Sequence, residues 1–416
     1  MRVYKFGGAS IATVDNIKNV CSIIKDADEK LIVVISALGK TTNAIEKIIY
    51  SKDKDEAVNM WDKLCEKHKH MAKELDAEEH AVPFLNEYQS EGRELIYNYS
   101  RSNSDEFYDQ LISKGELMST TIVVARLLKV GLSSKWLDAR KMFRSDEHFR
   151  SANIQWRETE LSIQEAINKN TEKYDVLVTQ GFIASTRDGR TATLGREGSD
   201  YSAAIISYCI DAESMSVWKD VQGVLTADPR RFPNASLIPQ LSYTEAIEMT
   251  YYGAQVIHPK TIQPIQRKEI PLNVRSFVHR DLNGTVIDKG GGALYPPMIV
   301  VADNQYLLEF RSKDFSFIAE RHLSMLFRKF NHYRIRVNIM RNTAISFIVC
   351  VSAERERLNF LKEEMAFDFD IKETGNLQMM TVRHYNQSTI EFLKQSKEVL
   401  FEEKHGITYQ MVVADK

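Results

Sequence analysis

The sequence predicts an α/β protein: an open, mainly parallel sheet between helices, followed by smaller α+β units. Two observations predict the sheet. The apolar runs "MRVYKFGG" and "KLIVVISAL" flank a segment with helical spacing, and strand, helix, strand is the βαβ pattern of parallel sheets. Apolar runs of the same kind return after residue 173. The α+β units are indicated by alternating short strand and helix patterns after residue 298.

Length and composition describe a globular chain of more than one domain. It has 416 residues, 43% hydrophobic and 27% charged, with a formal net charge of -2, so about two or three domains are expected. Without a basic excess, we expect no nucleic-acid partner. No apolar run is long enough to span a bilayer and no signal-peptide pattern is present, which predicts a cytoplasmic protein without a membrane partner. The cysteines and histidines lack metal-ligand spacing, so no structural zinc is expected.

The N-terminal part, residues 1–290, is predicted to form one domain. A helix between its first two strands is predicted by four apolar residues on one face: Val14, Ile17, Val20 and Ile24. Residues from about 45 to 130 are highly charged and mostly helical in pattern, which indicates an added α-helical region. Three further strand candidates are "YDVLVTQGFIA", "SMSVWKDVQGVL" and "IPLNVRSF". Between the last two, Ser242 and Glu245 form a capping box that opens a helix.

The C-terminal part begins after a linker. Glycines and prolines without periodicity in "DKGGGALYPP", residues 288–297, predict that linker. Residues 305–375 then show a β-α-β-β-α-β pattern, and residues 376–416 show a shorter copy to which the strand 298–304 is added. Such ferredoxin-like units are small, form sheets and often bind ligands or dimerise. The pattern leaves an unrelated α+β domain open as the alternative.

A lysine and a glycine pair end the first strand, in "VYKFGGAS". Gly7 and Gly8 allow the backbone to approach a ligand closely, and Lys5 favours an anion as that ligand. Because the lysine precedes the glycines, this is not the G-x-x-x-x-G-K-[ST] phosphate loop. The stretch is either an anion site or a strand that ends in a flexible turn.

A second candidate anion site is "TLGREGSD". Gly195 and Gly198 flank a charged pair, and Ser199 is predicted to cap a helix that begins at Asp200. A helix N-terminus behind a glycine-bearing loop presents free N–H groups to an anion, and Arg196 beside it suits a carboxylate. An ordinary capped helix is the alternative.

Two more stretches carry charged residues at informative places. Lys219, Asp220 and Arg230 gather at the carboxyl end of the strand in "VWKDVQGVLTADPRR", where open α/β sheets bind ligands. Glu116 in "KGELMSTT" is predicted near a helix start, where a carboxylate ordinarily compensates the helix dipole. Each stretch is a weak signal by itself.

Taken together, these stretches resemble the aspartokinase family. "KFGGAS", "KTTNAI", "GELMS", "TQGFIA", "TLGREGSD", "DVQGVLTADPR" and "YGAQVIHPKTI" occur in the order found there. The resemblance covers the whole chain, because aspartokinases carry tandem ACT domains after a catalytic domain of amino-acid-kinase fold. It implies a monofunctional aspartate kinase that transfers the γ-phosphate of ATP to the β-carboxylate of L-aspartate. The product, 4-phospho-L-aspartate, starts lysine, threonine and methionine biosynthesis.

The resemblance also implies ligands and site residues. Mg2+ would accompany ATP, lysine or threonine would be an effector at the ACT region, and the chain would form a homodimer or higher homo-oligomer. Lys5 and Asp200 would be catalytic. The residues implied for L-aspartate are Thr42, Glu116, Phe182, Arg196 and Ser199. Those implied for ATP are Lys5, Gly7, Gly8, Ser10, Lys219, Asp220, Leu225, Arg230 and Lys260.

The chemistry of this reaction suits these residue types. The acceptor is a carboxylate with a reference pKa of about 3.9, so it is ionised at neutral pH and needs no general base. The site must bring two anions together and neutralise the charge that develops. Lys5 and the loop N–H groups would do this with Mg2+, while Asp200 positions Lys5 or the metal. Glu116 suits the ammonium of aspartate and Arg196 suits its α-carboxylate.

Five positions depart from the commonest family pattern: Ala9, Glu197, Lys219, Leu225 and Gln255. Glu197 adds a negative charge to a pocket for anions, and we expect Lys219 to compensate by pairing with it. The alternative is that both side chains point into solvent. The loop "RSKDFSFIAERH" lacks the glycine usual at ACT ligand sites, so the effector site is expected to be altered or lost.

Three other functions share parts of this pattern. Another amino-acid kinase or a uridylate-type kinase of the same fold would not need "GELMS" or tandem ACT units. An inactive regulatory subunit is disfavoured because Lys5 and Asp200 are both present. A fused homoserine dehydrogenase is not expected, since no G-x-G-x-x-G follows residue 300.

Overall fold

The structure is a computed structural model that describes residues 1–27, 29–99, 104–254, 257–290, 294–314 and 316–416. The chain divides into two compact units. The first comprises Met1–Val224, Leu237–Ile247 and Val256–Gly291, and the second comprises Leu225–Ser236, Glu248–Gln255 and Gly292–Lys416. Two segments that the sequence assigned to the N-terminal domain, 225–236 and 248–255, therefore group with the C-terminal unit. Within the described ranges, no helix has the length and apolarity to cross a membrane.

The described residues of the first unit form ten strands. They are β1 (Arg2–Phe6), β2 (Leu31–Ile35), β3 (Ser134–Leu137), β4 (Val176–Gln180), β5 (Ile183–Ser185), β6 (Thr191–Thr193), β7 (Met215–Lys219), β8 (Gln240–Ser242), β9 (Leu272–Ser276) and β10 (Thr285–Asp288). Eight form a sheet in the order β3-β4-β2-β1-β7-β9-β10-β8, and β5 and β6 form a separate hairpin. Neighbours from β3 to β9 are parallel, and β10 is antiparallel to β9. The predicted open, mainly parallel sheet is confirmed.

Among the described residues, ten helices accompany these strands. They are α1 (Val14–Asp26), α2 (Thr41–Ile49), α3 (Lys54–Glu74), α4 (Glu78–Asn98), α5 (Ser104–Lys129), α6 (Ala139–Met142), α7 (Trp156–Thr171), α8 (Gly198–Cys209), α9 (Tyr243–Tyr251) and α10 (Pro259–Arg267). Helix α9 ends within a segment of the second unit. Helix α1 buries Ile17, Val20 and Ile24, as its spacing predicted. At the start of α9, the N–H of Glu245 donates to Ser242 Oγ at 3.1 Å, which is one half of the predicted capping box.

Two predicted helix starts are wrong. Helix α8 begins at Gly198 with Glu197 as its N-cap, so Ser199 lies in its first turn and does not cap it. Helix α5 begins at Ser104, so Glu116 lies in its interior. The first error arose because a non-glycine residue occupies a left-handed N-cap, and the second because α5 begins twelve residues before Glu116.

The second unit is an antiparallel sheet with three helices. Its strands are β11 (Met298–Ser312), β12 (Arg336–Asn342), β13 (Ser346–Ser352), β14 (Phe369–Arg383), β15 (Lys397–His405) and β16 (Thr408–Asp415), and its helices are α11 (Glu320–His332), α12 (Arg355–Met365) and α13 (Gln387–Lys394). The strand order is β12-β13-β11-β14-β16-β15. The predicted α+β region is confirmed, although sequence analysis missed the edge strand β15, whose charged residues hide the alternation. Residues 291–293 of the predicted linker lie outside the described residues.

The two halves of this unit share one sheet. Strands β11 and β14 each have 15 residues and pair with each other along their lengths, with register shifts between Ala302 and Leu307. Separate apolar clusters lie on either side of the shifts: one gathers around Phe310 and Phe330, and the other around Val382 and Met411. Each half therefore has an apolar cluster of its own, and a third cluster, which includes Cys350 and Val412, contains residues from both halves.

Close packing joins the long helices of the first unit. Trp61 of α3 is fully buried and its indole N–H donates to the carbonyl of Gln89 at 3.0 Å. A Cβ at Gly92 of α4 would lie 2.2 Å from Trp61 Cε2. Glycine at position 92 is therefore what allows α4 to approach the tryptophan.

We expect Gly92→Ala to destabilise the protein by about 1–3 kcal/mol, the usual cost of overpacking a core. Without the contact, the same change inside a helix would stabilise by about 1 kcal/mol, so the sign of the effect is diagnostic. Urea unfolding measures it. Ser90→Ala, on the exposed side of α4, is the control and should have little effect. A Gly92→Ala protein more stable than the wild type would contradict the packing.

Candidate active site

A cavity of about 600 Å³ opens at the carboxyl ends of four adjacent strands. In the sheet, these are β4, β2, β1 and β7, and the residues just after each of them line the cavity. Ligands of open α/β sheets bind at this edge. Twelve of the sequence-predicted site residues line it: Lys5, Gly7, Gly8, Ser10, Thr42, Glu116, Phe182, Arg196, Ser199, Asp200, Lys219 and Asp220.

Three predicted nucleotide contacts are not among the lining residues. Leu225 and Arg230 belong to the second compact unit, where the exposed Arg230 guanidinium pairs with Asp228 at 2.8 Å. Lys260 is exposed in the first turn of α10. Gln255, one of the departures, lies outside the described residues. The motif "DVQGVLTADPR" therefore contributes Asp220 to the cavity, but not Leu225 or Arg230.

The glycine pair after β1 fits tightly against the loop after β2. A Cβ at Gly8 would lie 2.7 Å from the carbonyl oxygen of Ala37, and the Gly39 N–H donates to the Gly8 carbonyl at 3.0 Å. Ser10 Oγ donates to the carbonyl of Trp218 at 3.1 Å, which ties the same turn to the end of β7. These contacts hold the loop against its neighbours as one wall of the cavity, which favours the anion site over a flexible turn.

The first turns of two helices also line the cavity. Thr42 lies in the first turn of α2, and Ser199 and Asp200 lie in the first turn of α8. Helix N-termini present N–H groups without intrahelical partners and the positive end of the helix dipole. This side of the cavity suits an anion.

A buried ion pair connects β1 with α8. Lys5 Nζ lies 2.6 Å from Asp200 Oδ1, and Lys219 Nζ lies 3.7 Å from Asp200 Oδ2. Burial alone would raise the pKa of Asp200, but the charges of Lys5 and Lys219 outweigh it, and the pKa lies below its ordinary value. Asp200 is therefore ionised at neutral pH and holds both ammonium groups at the cavity.

Lys219 thus pairs with Asp200 and not with Glu197, contrary to the expected compensation. No ion pair of Glu197 occurs in the part of the chain that the structure describes. Glu197 instead occupies the left-handed region, with φ of 55°, which costs a non-glycine residue about 1–2 kcal/mol. Arg196, just before it, lines the cavity.

Glu116 is a buried carboxylate that also lines the cavity. It is buried in the interior of α5, and burial raises its pKa to about 8, although the Ala37 N–H lowers it. Its Oε2 atom is buried without a hydrogen-bond partner. Gly115, within the same helix, allows close packing, because a Cβ there would press on Thr41 and Ala37, at 3.1 and 3.2 Å. A cationic ligand group would satisfy Glu116.

Several residues that line the cavity were not predicted from the sequence, among them Tyr108 and Arg150. The Tyr108 hydroxyl donates to Glu46 Oε1 at 2.7 Å, and the Arg150 guanidinium lies 4.2 Å from the centre of the Tyr108 ring. Neither residue belongs to a motif. A signal was available for Tyr108, which precedes Glu116 by about two helical turns and so shares its helix face.

The N-terminal part of the chain matches a known protein family. A model described as the amino acid kinase family matches residues 1–276. Lysine-sensitive aspartokinase 3 of Escherichia coli is 32% identical over 294 residues, which cover 68% of this chain and 63% of that protein. A bifunctional aspartokinase/homoserine dehydrogenase of Arabidopsis thaliana is 34% identical over 296 residues, or 68% of this chain and 32% of the relative. The chain thus spans about a third of the length of the bifunctional relatives.

Solved structures show the same fold over nearly the whole chain. E. coli aspartokinase III in complex with aspartate and ADP superimposes with a TM-score of 0.82 and 25% identity, covering 99% of this chain and 96% of that one. Clostridium acetobutylicum aspartate kinase gives a TM-score of 0.81 with 20% identity and the same coverage. The resemblance to aspartokinases is confirmed.

The raised pKa of Glu116 predicts that the protein loses stability as the pH rises. Between its ordinary value of 4.5 and about 8, the folded state binds more protons than the unfolded state, so the free energy of unfolding falls as pH rises. Glu116→Gln removes this loss. Its stability relative to the wild type should increase from pH 5 to pH 8 by about 2 kcal/mol or more, measured by urea unfolding. A difference that stays constant with pH would show that Glu116 is already ionised in the folded protein.

Proposed function

Because the chain belongs to the amino acid kinase family, we propose that it is an aspartate kinase, which transfers the γ-phosphate of ATP to the β-carboxylate of L-aspartate. The structures of relatives support this choice, since E. coli aspartokinase III of the same fold binds aspartate and ADP. The residues of the cavity support it independently.

The observation that carries the proposal is that the buried Glu116 lines the same cavity as four cationic side chains. A pocket for phosphate alone would have no use for a buried carboxylate with an unpartnered oxygen, because it would repel the ligand. An amino acid with a second carboxylate would pair with both the acidic and the cationic groups of the cavity. Its ammonium would pair with Glu116 and its α-carboxylate with Arg196. Its β-carboxylate would then face the transferring phosphoryl group.

Lys5 would act where charge develops. The γ-phosphoryl group spreads negative charge over its oxygens as it passes to the acceptor, and a preorganised ammonium stabilises that charge without rearrangement. Asp200 would hold Lys5 and Lys219 in place. The acceptor carboxylate is already ionised at neutral pH, so no residue has to remove a proton from it.

Mg2+ would accompany the nucleotide. The cavity is lined by four cationic side chains, Lys5, Arg150, Arg196 and Lys219, and by four acidic ones, Glu116, Glu197, Asp200 and Asp220. Without a ligand Glu116 is largely protonated at neutral pH, because its pKa is raised to about 8, so the lining carries only a small positive charge. The protein alone therefore does not neutralise ATP. The described residues contain no group of three or more ligating side chains that could hold a metal, which suits Mg2+ bound chiefly by phosphates. Of the cavity carboxylates, the exposed Asp220 is the one best suited to assist, and the metal would neutralise phosphate charge.

The C-terminal unit would carry regulation. We propose that an amino-acid effector, lysine or threonine, would bind at this unit and that the chain forms a homodimer or higher oligomer. The loop 311–322 lacks the glycine usual at ACT ligand sites, so the response to either amino acid is expected to be altered or lost. The lysine-sensitive E. coli relative supports lysine as the effector to test first. An open sheet with unpaired edge strands supports association, since such edges are usually covered.

The test is a hydroxamate assay with ATP, Mg2+ and L-aspartate, repeated with lysine and with threonine. ATP-dependent formation of aspartyl hydroxamate is expected. Phosphorylation of UMP without reaction of aspartate would favour the uridylate-type alternative, and binding of amino acids without any turnover would favour an inactive regulatory protein.

Lys5→Ala should lower kcat at least about 100-fold, the usual loss when one preorganised group for transition-state charge is removed. The KM for aspartate should change much less, because Lys5 acts on the phosphoryl group. Steady-state kinetics measures both. Lys18→Ala, an exposed lysine of α1, is the matched control. A Lys5→Ala enzyme that keeps more than about a tenth of wild-type kcat would remove Lys5 from the mechanism.

Glu116→Gln should instead raise the KM for aspartate and weaken discrimination against succinate, which lacks the ammonium. A site that pairs a substrate group rejects the analogue without that group, since its own polar atom is then left unpaired. Arg196→Ala should raise the KM for aspartate without changing this discrimination. If Glu116→Gln still rejects succinate as strongly as the wild type does, Glu116 is not the ammonium partner.

A further inference from the structure

A fully buried carboxylate lies beside the cavity without lining it. Asp109 of α5 is 0% exposed. Its Oδ2 accepts hydrogen bonds from the backbone N–H of Arg150 at 2.8 Å and of Thr193 at 2.7 Å, and its Oδ1 accepts from Thr193 Oγ1 at 2.7 Å. Burial of a carboxylate is costly unless donors surround it. Asp109 meets that condition with three donors from two other segments.

Each of the three segments joined by Asp109 carries a cavity residue. Asp109 and Glu116 are seven residues apart on α5, which places them on the same helix face. Thr193 is the last residue of the hairpin strand β6, and Arg196 follows it by three residues. Arg150 itself lines the cavity.

Further contacts bind the last two segments to each other. The Ala152 N–H donates to the Thr193 carbonyl at 2.8 Å. A Cβ at Gly195 would lie 3.3 Å from Ser151 Oγ, so little space remains between the loop that carries Arg196 and the loop that carries Arg150. Arg150 adopts a φ of 68°, a conformation that a non-glycine residue keeps only when its surroundings hold it there. The hydrogen bond to Asp109 is one such restraint.

We propose that Asp109 is a positioning residue that sets the separation between Glu116 and Arg196, the two groups assigned to the ammonium and the α-carboxylate of the substrate. The inference rests on the proposed function for the identity of that substrate. Asp109 touches neither ligand. It acts by holding the loop at Arg196 and the loop at Arg150 to the helix that carries Glu116, so that both charged groups of an amino acid are met at once.

The pKa of Asp109 is consistent with this role. Burial raises it to about 6, while the Arg150 and Thr193 donors oppose the rise. The carboxylate is therefore ionised at neutral pH, and its hydrogen bonds are the stronger, charge-assisted kind.

Asp109→Asn tests the proposal, because the amide has one acceptor oxygen where the carboxylate offers two. We expect the KM for aspartate to rise about tenfold or more, as when one charge-assisted hydrogen bond is lost, and preference for aspartate over succinate to fall. The KM for ATP should stay within about twofold. Thr193→Val, which removes only the side-chain hydrogen bond, should show a smaller change of the same kind and serves if Asp109→Asn does not fold.

Asp138→Asn is the matched control. Asp138 also accepts several hydrogen bonds, from the N–H and guanidinium of Arg140. Because Arg140 does not line the cavity, these bonds hold no cavity residue, and the substitution should leave the KM for aspartate unchanged. Equal rises in the KM for aspartate and for ATP, or none with Asp109→Asn, would overturn the proposal.

Hydrogen exchange separates this proposal from the proposed function. In Asp109→Asn, amide exchange should accelerate in residues 193–197 and 150–152, and should not do so in Asp138→Asn. A wild-type protein that does not phosphorylate aspartate would overturn the function, whereas unchanged exchange in these two segments would overturn the positioning role.

Discussion

The buried ion pair between Lys5 and Asp200 is the interaction on which the cavity depends. It joins the first strand of the sheet to the first turn of α8. A buried carboxylate is costly when unpaired, so Asp200 keeps both Lys5 and Lys219 near it and draws the N-terminus of α8 to the strand ends. Cationic groups and helix N–H groups are thereby placed before any ligand binds. Electrostatic stabilisation then needs no reorganisation during the reaction.

Helix α5 contributes Glu116 to the same cavity. It is almost wholly buried along 26 residues, and it carries Tyr108, Asp109 and Glu116 on one face. Side chains on a rigid helix are positioned more accurately than those on loops. The burial that raises the pKa of Glu116 also makes its ionisation depend on a cationic partner. The packing that buries α5 therefore also determines which ligands Glu116 can pair with.

The second unit has two halves, each with an apolar cluster of its own, that share one sheet. Strands β11 and β14 are long enough to serve both halves, and the register shifts near Gln305 mark the change from one to the other. Gln305 is buried there, and its Oε1 accepts hydrogen bonds from Asn338 and Ser352. A polar side chain that is fully satisfied at this point favours one register over its alternatives.

The sequence by itself determined the parallel sheet and the α+β region, and its resemblance to aspartokinases implied twelve of the residues around the cavity. Local patterns sufficed for the sheet and the α+β region, because strand periodicity is read over a few residues and parallel strand ends meet at one edge. Tertiary structure alone decided the rest. Glu197 is the N-cap of α8 in a conformation usual for glycine, and residue 115 is a glycine within a helix because a side chain there would press on Ala37. Asp109 bonds to Thr193, 84 residues away, and a contact between such distant positions leaves no periodicity in the chain from which to predict it.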